Sequence, residues 1–549
     1  MPEQIIIRGK SISPGLAEGK VHVHRTLLGP LDAAPQGKDR LSIEEELGHL
    51  DNATLKITND LLSLATHVEK EIDTRLSKVF EVHQLLLNDA SLRRELRQEI
   101  ENNLVSAGSA VKTVFLRWEK RFMSMESQIA RSKSDDLRDI EIRLRNALAG
   151  ITVHPLEEIP LGCVLVTSRL LPSDTVFLIG RSTAAVLLEY GSIGSHAALF
   201  AREIGLPCIS GIANLQSIVP EGELALVDAD TGTVTVRPEE GQVTAFRKKV
   251  REKEQASVHA RAQALEPAVT KDGVRISVLA NVGNKEDTNT AMANGAEGVG
   301  LYRMERTYLG RISPPDENEL LQEMRQTLGA ARGHTVCVRL LDIGADKPLP
   351  YLEFMAESNP SLGRRGIRLL REYPQLLTTH LRAVLELSRE FDVSLLIPMV
   401  TTPDDVAVVR DYLTQLGAQL SISPLPRLGA MIETPAAALS AREILRYADF
   451  LSFGTNDLTQ YSFAADRENA AVGMYFNDAS DVIFRLLRIV HDDLPEMPLS
   501  ICGELGGRPQ HIARLLQCGI KTFSVAPPLV PAVKEVIRKS VYGKSSSGL

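Results

Sequence analysis

The stretch Gly298-Val299-Gly300-Leu301-Tyr302-Arg303 is an apolar run of strand length that ends in a charged residue. The same pattern recurs through the second half of the chain, with gaps between the runs that are long enough for a helix. The runs are residues 278–280, 298–302, 336–340, 395–399, 429–432, 450–453, 499–502 and 523–525. Buried strands that alternate with helices in this number predict a (β/α)8 barrel of the TIM type.

Polar side chains stand at or just after the ends of several runs. They are Arg303, Asp342, Glu433, Asn456, Asp457, Cys502 and Glu504. Barrel enzymes build their active sites at the C-terminal ends of the strands. One acidic residue at such a position is commonly a loop residue or a helix cap. Several in one barrel indicate an active site.

Two of these residues, Glu433 and Asp457, have the chemistry of a magnesium site. Mg²⁺ prefers hard oxygen ligands, takes few protein carboxylates, and completes its shell with water and substrate oxygens. The sequence therefore predicts a Mg²⁺ cofactor that is shared with an anionic substrate.

Four cations lie along the same half of the chain, and they are Arg303, Arg339, Lys347 and Arg365. Guanidinium groups bind phosphate and carboxylate oxygens bidentately, so this set is a candidate clamp for an anionic substrate. Each arginine taken alone is more often part of a surface ion pair.

The first half of the chain changes character twice. Residues 5–7 and 19–24 have the pattern of short strands, residues 41–148 are nearly free of Pro and Gly with apolar residues at helical spacing, and residues 151–236 return to an α/β pattern. We interpret the helical block as an insertion into one α/β domain.

The segment Gly194-Ser195-His196-Ala197-Ala198-Leu199-Phe200-Ala201-Arg202-Glu203 places a histidine behind small residues at the predicted start of a helix. A neutral imidazole there can attack an electrophilic phosphorus, and a helix N-terminus attracts the phosphoryl oxygens. A lone histidine in this position can also be a cap or a packed ring.

Composition narrows the class of protein. The 549 residues are 44% hydrophobic and 24% charged, which predicts a soluble globular chain with two or more domains. A net charge of −8 argues against nucleic-acid binding. Five scattered cysteines without metal spacing indicate free thiols in the cytoplasm, and no run is long and apolar enough for membrane insertion.

The segments around His196 resemble the swivelling phosphohistidine domain of phosphoenolpyruvate-utilising enzymes. Over most of its length, the chain resembles the enzyme I family of the bacterial phosphoenolpyruvate:sugar phosphotransferase system. The segments that carry this resemblance are Ser13-Pro14-Gly15, Gly194-Ser195-His196, Gly298-Val299-Gly300-Leu301-Tyr302-Arg303, Asp342-Ile343-Gly344-Ala345-Asp346-Lys347, Asn359-Pro360-Ser361-Leu362-Gly363-Arg364-Arg365, Met431-Ile432-Glu433-Thr434-Pro435-Ala436-Ala437, Gly454-Thr455-Asn456-Asp457-Leu458-Thr459-Gln460-Tyr461, Asp466-Arg467 and Cys502-Gly503-Glu504-Leu505.

The resemblance implies an α/β multidomain fold: a swivelling phosphohistidine α/β domain with an inserted helical bundle, followed by the barrel. Its implied domains are 1–35 with 148–236 for the phosphohistidine domain, 36–147 for a helical domain that binds the phosphocarrier protein HPr, 237–265 for a helical linker, and 266–549 for the phosphoenolpyruvate-binding barrel. A homodimer through the barrel is also implied.

The resemblance further implies that phosphoenolpyruvate gives its phosphoryl group to Nε2 of His196 and then to HPr, with release of pyruvate, as the first step of sugar uptake. The implied substrate-binding residues are Arg303, Arg339, Arg365, Asn456 and Arg467. Glu433 and Asp457 are implied to hold Mg²⁺, and Cys502 to protonate the pyruvate enolate. His83 belongs either near the HPr surface or in the helical core.

Some residues depart from the family pattern. Ser192, Ile193 and Gly194 stand where the family has Gly, a variable or basic residue, and Thr, so a hydroxyl near the imidazole is lost. Two other functions compete with the main hypothesis. A pyruvate phosphate dikinase or phosphoenolpyruvate synthase would need an ATP-binding module, and we expect none here, because no Gly-rich nucleotide domain precedes the phosphohistidine domain and the helical insertion fits the phosphotransferase better. A sensor that binds phosphoenolpyruvate without turnover is the second alternative.

Overall fold

A computed structural model of the chain describes residues 3–25, 42–71, 74–124, 128–151, 154–180, 183–190, 200–201, 204–309, 311–344, 349–352, 357–467 and 469–543. The chain divides into two compact units, residues 1–251 and residues 252–549. His196 and Lys347 lie outside the described residues.

The first unit contains a mixed sheet. Its strands are β1 (Ile5–Arg8), β2 (Lys10–Ser13), β3 (Leu16–Val23), β4 (Val164–Thr167), β5 (Ala185–Leu188), β6 (Cys208–Ser210), β7 (Leu224–Asp228) and β8 (Thr233–Val236). Their order in the sheet is β1-β8-β7-β3-β4-β5-β6-β2, and β3 to β6 are parallel neighbours. Every residue of β4 and β5 is buried, as expected for central parallel strands that are covered on both faces.

Between β3 and β4 the chain forms a helical bundle. Its helices are Ile43–Glu71, Thr74–Leu87, Ala90–Asn103, Ala107–Ser124 and Gln128–Leu148. Their apolar faces enclose a separate core around Phe80 and Phe115, which Val176 and Phe200 of the α/β part also join. The predicted helical insertion into an α/β domain is thereby confirmed.

Two shorter helices of the first unit, Pro172–Gly180 and Leu215–Ile218, follow β4 and β6. The helix Glu240–Ala262 then runs across the boundary between the two units. None of the helices in the described part of the chain is long and apolar enough to cross a membrane.

The second unit is a closed parallel barrel. Its strands are β9 (Ala268–Val269), β10 (Arg275–Val282), β11 (Gly298–Tyr302), β12 (Thr335–Arg339), β13 (Asp392–Ile397), β14 (Arg427–Ile432), β15 (Phe450–Phe453), β16 (Leu499–Ile501) and β17 (Ile520–Val525). Parallel pairing runs from β10 through β17, and β17 pairs again with β10, which closes the ring. The short strand β9 adds to β10 in antiparallel orientation. The eight runs predicted from the sequence are therefore the eight barrel strands.

Helices surround this ring. They are Lys285–Ala293, Glu305–Tyr308, Glu317–Leu328, Ile367–Glu372, Pro374–Leu387, Pro403–Gln419, Pro435–Leu439, Ala441–Ile444, Thr455–Phe463, Asp481–Asp493, Pro509–Gln517 and Val530–Lys539. One continuous apolar core fills the space between the ring and its helices. The last helix carries Lys534, which is buried and donates hydrogen bonds to the carbonyl oxygens of Ala264, at 2.9 Å, and Gly295, at 2.7 Å. The ammonium group thus ties the final helix to the start of the barrel.

A buried histidine in this outer layer predicts a measurable pH effect on stability. His380, on the helix Pro374–Leu387, is fully buried, and neither ring nitrogen has a hydrogen-bond partner in the described part of the chain. Burial lowers its pKa to about 3. The unfolded ring takes up a proton below a pH of about 6.5, whereas the folded ring stays neutral, so stability falls as the pH drops from 6.5 towards 3. Between pH 7 and pH 5 this amounts to about 2 kcal/mol of unfolding free energy.

Replacing His380 by leucine should remove that part of the pH dependence, while replacing the exposed His334 by leucine should leave it in place. Denaturant unfolding of the full chain at pH 7 and pH 5 measures both variants against the wild type. An equal loss of stability in the wild type and in His380→Leu would contradict the assignment.

Candidate active site

The polar residues predicted at the strand ends meet at one mouth of the barrel. Arg303 follows β11, Arg339 ends β12, Glu433 follows β14, Asn456 and Asp457 begin the helix after β15, and Cys502 follows β16. Parallel strands that close into a ring present their C-terminal ends on the same side, so residues far apart in sequence come together.

Arg339 is held by two carboxylates. Its Nη2 donates to Oε1 of Glu305 at 2.7 Å, and its Nη1 lies 3.2 Å from Oδ2 of Asp342. Burial alone disfavours the charged guanidinium, but the carboxylates of Glu305, Asp342 and Glu433 outweigh it and raise the pKa of Arg339. Its buried Nε has no hydrogen-bond partner among the residues that the structure describes. A positive charge is therefore fixed in place with one donor still unused.

Arg365 reaches the same mouth from a loop. Its Nε and Nη2 donate to the two carboxylate oxygens of Asp342 at 3.3 and 2.9 Å, while Nη1 donates to Oδ1 of Asp457 at 3.1 Å and to the hydroxyl of Tyr461 at 3.2 Å. Burial opposes its charge, yet Asp342 and Asp457 raise its pKa. The following Gly366 has φ +56°, and a Cβ there would lie 2.9 Å from Met399, so the turn that presents Arg365 requires glycine.

Arg303 differs from these two arginines. No carboxylate of the described residues lies within 4.0 Å of its guanidinium, and its side chain is exposed at the mouth. The surrounding barrel wall and the positive charge of Arg339 both lower the pKa of Arg303. A cation that lies near another cation and makes no ion pair with the described residues is suited to receive an anionic ligand.

Glu433 and Asp457 form the acidic side of the mouth. Glu433 is 1% exposed, and its Oε1 accepts a hydrogen bond from the backbone N–H of Met399. Burial, together with the negative charges of Asp457 and Asp342, raises the pKa of Glu433 to about 8. Gly454 makes room for this carboxylate, because a Cβ at that position would lie 2.7 Å from Oε2.

This pair fits a small divalent cation. A buried carboxylate whose ionisation is opposed by a neighbouring carboxylate is stabilised by a metal ion placed between the two. No group of three or more His, Cys, Asp or Glu side chains with metal-binding geometry occurs among the described residues, so two carboxylates are what this chain offers here. Mg²⁺ accepts such a set, since it keeps several waters and substrate oxygens.

Asn456 and Arg467 lie at the rim. Asn456 exchanges hydrogen bonds with Glu504: Nδ2 donates to Oε1 at 3.4 Å, and Oδ1 accepts from the Glu504 backbone N–H at 3.0 Å. Nη1 of Arg467 lies 3.9 Å from Oδ2 of Asp457, and about a third of its side chain is exposed. Both residues can therefore turn towards a ligand.

Cys502 occupies the floor of the mouth. Its side chain is 3% exposed. Sγ accepts a hydrogen bond from the hydroxyl of Ser452 and donates one to the carbonyl oxygen of Phe453, and both distances are 3.5 Å. Burial raises the pKa of Cys502, and the hydrogen bond from Ser452 opposes this. The group is therefore a thiol that holds its proton, which is the form that an acid requires.

The structure also shows residues that the sequence did not assign to the site. Glu305 and Tyr461 contact the arginines directly, and Asp342, which was noted only as a strand-end residue, pairs with two of them. A usable signal for Glu305 was its position two residues after Arg303, in the first turn of the helix Glu305–Tyr308. In the first unit, His83 is fully buried with its Nε2 3.2 Å from Asp136, so it is a packed core residue and not part of a docking surface.

Three family models match the chain. They describe a phosphoenolpyruvate-utilising enzyme's N-terminal domain at residues 8–133, its mobile domain at 159–232, and its phosphoenolpyruvate-binding domain at 257–542. The fold and these matches place the chain among the phosphoenolpyruvate-utilising enzymes.

Full-length relatives narrow this class. A phosphoenolpyruvate-protein phosphotransferase of Geobacillus stearothermophilus is 32% identical over 534 residues, 96% of this chain and 92% of the relative. One of Mycoplasma pneumoniae is 32% identical over 539 residues, 98% of this chain and 94% of the relative. The chain belongs to the phosphoenolpyruvate-protein phosphotransferase family, the enzymes I, and is a transferase that carries out phosphoenolpyruvate-dependent phosphotransfer.

Proposed function

We propose that this enzyme transfers the phosphoryl group of phosphoenolpyruvate through a phosphohistidine at His196 to the phosphocarrier protein HPr, releases pyruvate, and so begins sugar phosphotransfer in the cytoplasm. The single observation that carries this proposal is the mouth of the barrel, where Arg303, Arg339 and Arg365 face the pair Glu433 and Asp457 above the thiol of Cys502.

The arginines suit phosphoenolpyruvate because this substrate carries a phosphate and a carboxylate on a three-carbon frame. Within the described part of the chain, Arg303 makes no ion pair and Nε of Arg339 makes no hydrogen bond, so both have donors for substrate oxygens. Arg467 and Asn456 extend this donor set at the rim. We also propose Lys347 as a substrate ligand, and this proposal rests on the sequence.

Glu433 and Asp457 would hold Mg²⁺ in this enzyme. When bound, the ion neutralises the charge on the phosphate and enolate oxygens. The donor chemistry supports this choice, because both carboxylates are more than nine-tenths buried and Oε2 of Glu433 accepts no hydrogen bond from the described residues.

The residues of the chain then carry the reaction. Nε2 of His196 attacks phosphorus, the bond between phosphorus and the enolate oxygen breaks, and the oxygen leaves as pyruvate enolate. Sγ–H of Cys502 gives its proton to the methylene carbon of the enolate, and pyruvate results. Arg303 and Arg339 keep the phosphate in line with the imidazole, since phosphoryl transfer depends chiefly on positioning and charge.

We also propose the domain division 1–35 with 148–236, 36–147, 237–265 and 266–549 as functional units. Residues 36–147 would receive HPr, and exposed leucines on its helices, such as Leu55, Leu62 and Leu85, support a protein-binding role. The barrel would mediate a homodimer.

The experiment that tests the proposal measures pyruvate release from phosphoenolpyruvate by the full chain, with Mg²⁺, in the presence and absence of HPr. We expect one pyruvate per chain without HPr and continuous release with HPr, because the phosphohistidine must discharge to an acceptor. Continuous release without HPr would contradict transfer to this carrier. Binding of phosphoenolpyruvate without any pyruvate would favour a sensor.

A further inference from the structure

We propose that Asp342 is a positioning residue that sets the spacing and orientation of Arg339 and Arg365, and that substrate affinity depends on this geometry more than on the charge of Asp342. The inference rests on the proposed function, since it treats the two arginines as substrate ligands. It gives a role to a residue that the sequence identified only by its position after a strand.

Both arginines meet on one carboxylate. Oδ2 of Asp342 lies 2.9 Å from Nη2 of Arg365 and 3.2 Å from Nη1 of Arg339, and Oδ1 accepts from Nε of Arg365 at 3.3 Å. The Arg365 contact is bidentate, which fixes the plane of its guanidinium as well as its distance. The side chain of Asp342 is 5% exposed, so bulk water does not compete for these contacts.

Asp342 is itself held in place. Its backbone N–H donates to Oε1 of Glu305 at 3.1 Å, and the same oxygen receives Nη2 of Arg339 at 2.7 Å. Arg339, Asp342 and Glu305 therefore form a closed ring of contacts at the end of β12. A ring of this kind has few alternative arrangements, which is what pre-organises a binding site.

Arg365 depends on Asp342 because it does not lie on a barrel strand. It belongs to the loop that precedes the helix Ile367–Glu372, and the loop meets the barrel through a backbone bridge between Gly344 and Arg365 and the hydrogen bond from Gly366 N–H to Ile343 O at 3.2 Å. These backbone contacts locate the loop. The guanidinium is located by Asp342 through Nε and Nη2 and by Asp457 and Tyr461 through Nη1, so only Asp342 makes the bidentate contact.

Charge and geometry predict opposite results for Asp342→Asn. The substitution removes a negative charge from a site for an anion, so a role through charge alone makes anion binding tighter. The amide keeps one acceptor oxygen and turns an NH2 group towards the guanidinium groups, so it cannot hold both arginines. A role through geometry therefore makes binding weaker.

The test uses the full-length enzyme with Mg²⁺. Calorimetry measures the dissociation constants of phosphoenolpyruvate and of inorganic phosphate for the wild type and Asp342→Asn, and steady-state assays with HPr give KM and kcat. We expect both ligands to bind at least tenfold more weakly and KM to rise more than kcat falls. Asp449→Asn is the matched control, because Asp449 pairs with Arg410 at 2.8 Å at the opposite end of β15 and should leave all four quantities unchanged.

A second comparison separates positioning from a loss of folding. Asp342→Asn combined with Arg365→Gln should weaken phosphate binding less than the product of the two single effects, because part of the Asp342 effect acts through Arg365. Circular dichroism and the melting temperature report the folded state of each variant. Multiplicative effects would overturn the inference.

If the folded variant Asp342→Asn binds phosphate as tightly as the wild type or more tightly, the inference is also overturned. Asp342 would then act through its charge and not through the placement of the arginines. If the wild-type enzyme binds phosphate but releases no pyruvate, only the proposed function is contradicted. The dissociation constants of phosphate for the wild type and the Asp342 variants would then still test the role of Asp342. Failure of the wild type to bind either ligand would defeat both proposals.

Discussion

Replacing His196 by alanine is expected to abolish formation of the phosphoenzyme completely. Imidazole is the plausible nucleophile of the segment around residue 196, since a neutral imidazole nitrogen carries a free lone pair, whereas a serine hydroxyl must first lose its proton to a base. The residues that would bind phosphoenolpyruvate belong to the barrel and are unchanged in this variant. Loss of the acceptor should therefore remove the chemical step and preserve substrate binding.

Incubation with phosphoenolpyruvate labelled in its phosphate measures this directly, because phosphohistidine is labile in acid and stable in base. The exposed His49, on the helix Ile43–Glu71, offers a matched control, and His49→Ala should be labelled like the wild type. Calorimetry should give the same affinity of His196→Ala for phosphoenolpyruvate. An acid-labile label that persists on His196→Ala would refute the assignment.

Replacing Glu433 by glutamine or Asp457 by asparagine is expected to lower turnover by about 10³-fold at a fixed Mg²⁺ concentration, since a bound metal supplies several kcal/mol of transition-state stabilisation. Asp457→Asn also removes the negative charge that pairs with Arg365, so Glu433→Gln is the simpler variant to interpret. Asp449→Asn again provides the control.

The pH dependence sharpens this prediction. In the metal-free enzyme the pKa of Glu433 is raised to about 8, so below that pH the carboxyl group must lose its proton before it can bind a metal. The apparent Mg²⁺ affinity should therefore rise about tenfold per pH unit up to pH 8 and level off above it. Calorimetric titrations in two buffers of different ionisation enthalpy detect the released proton. Glu433→Gln should show none, and a pH-independent affinity in the wild type would contradict the metal role.

Sequence periodicity was sufficient to predict the strands of the barrel, but it did not predict all strands of the mixed sheet. The strands of the barrel are apolar runs between long helical gaps, a pattern that leaves one fold class. Strands β2, β6 and β8 were not predicted, because they are three or four residues long and lie among turn residues, where periodicity has too few positions to act. Their pairing with β6, β2 and β1 joins segments far apart in sequence.

The sequence predicted those site residues that directly follow an apolar strand. Arg303, Glu433 and Cys502 follow strands directly, and the fold brings them to one mouth. The roles of Asp342 and Glu305 depend on ion pairs that join β12 to a loop 23 residues later and to a helix 34 residues earlier. Local spacing carries no information about such pairs, because they arise from the closure of the barrel.

The alternation of charge across the mouth has a consequence for the speed of substrate capture and release. Glu305, Arg339, Asp342, Arg365 and Asp457 form a series in which each cation stands between carboxylates. Opposite charges at these separations cancel within a few ångströms, so little field extends into solvent, and it is set chiefly by Arg303. A dianionic ligand consequently arrives by nearly unassisted diffusion and is recognised only on contact. Because the opposite charges cancel, the product also leaves without a long-range electrostatic attraction to the mouth.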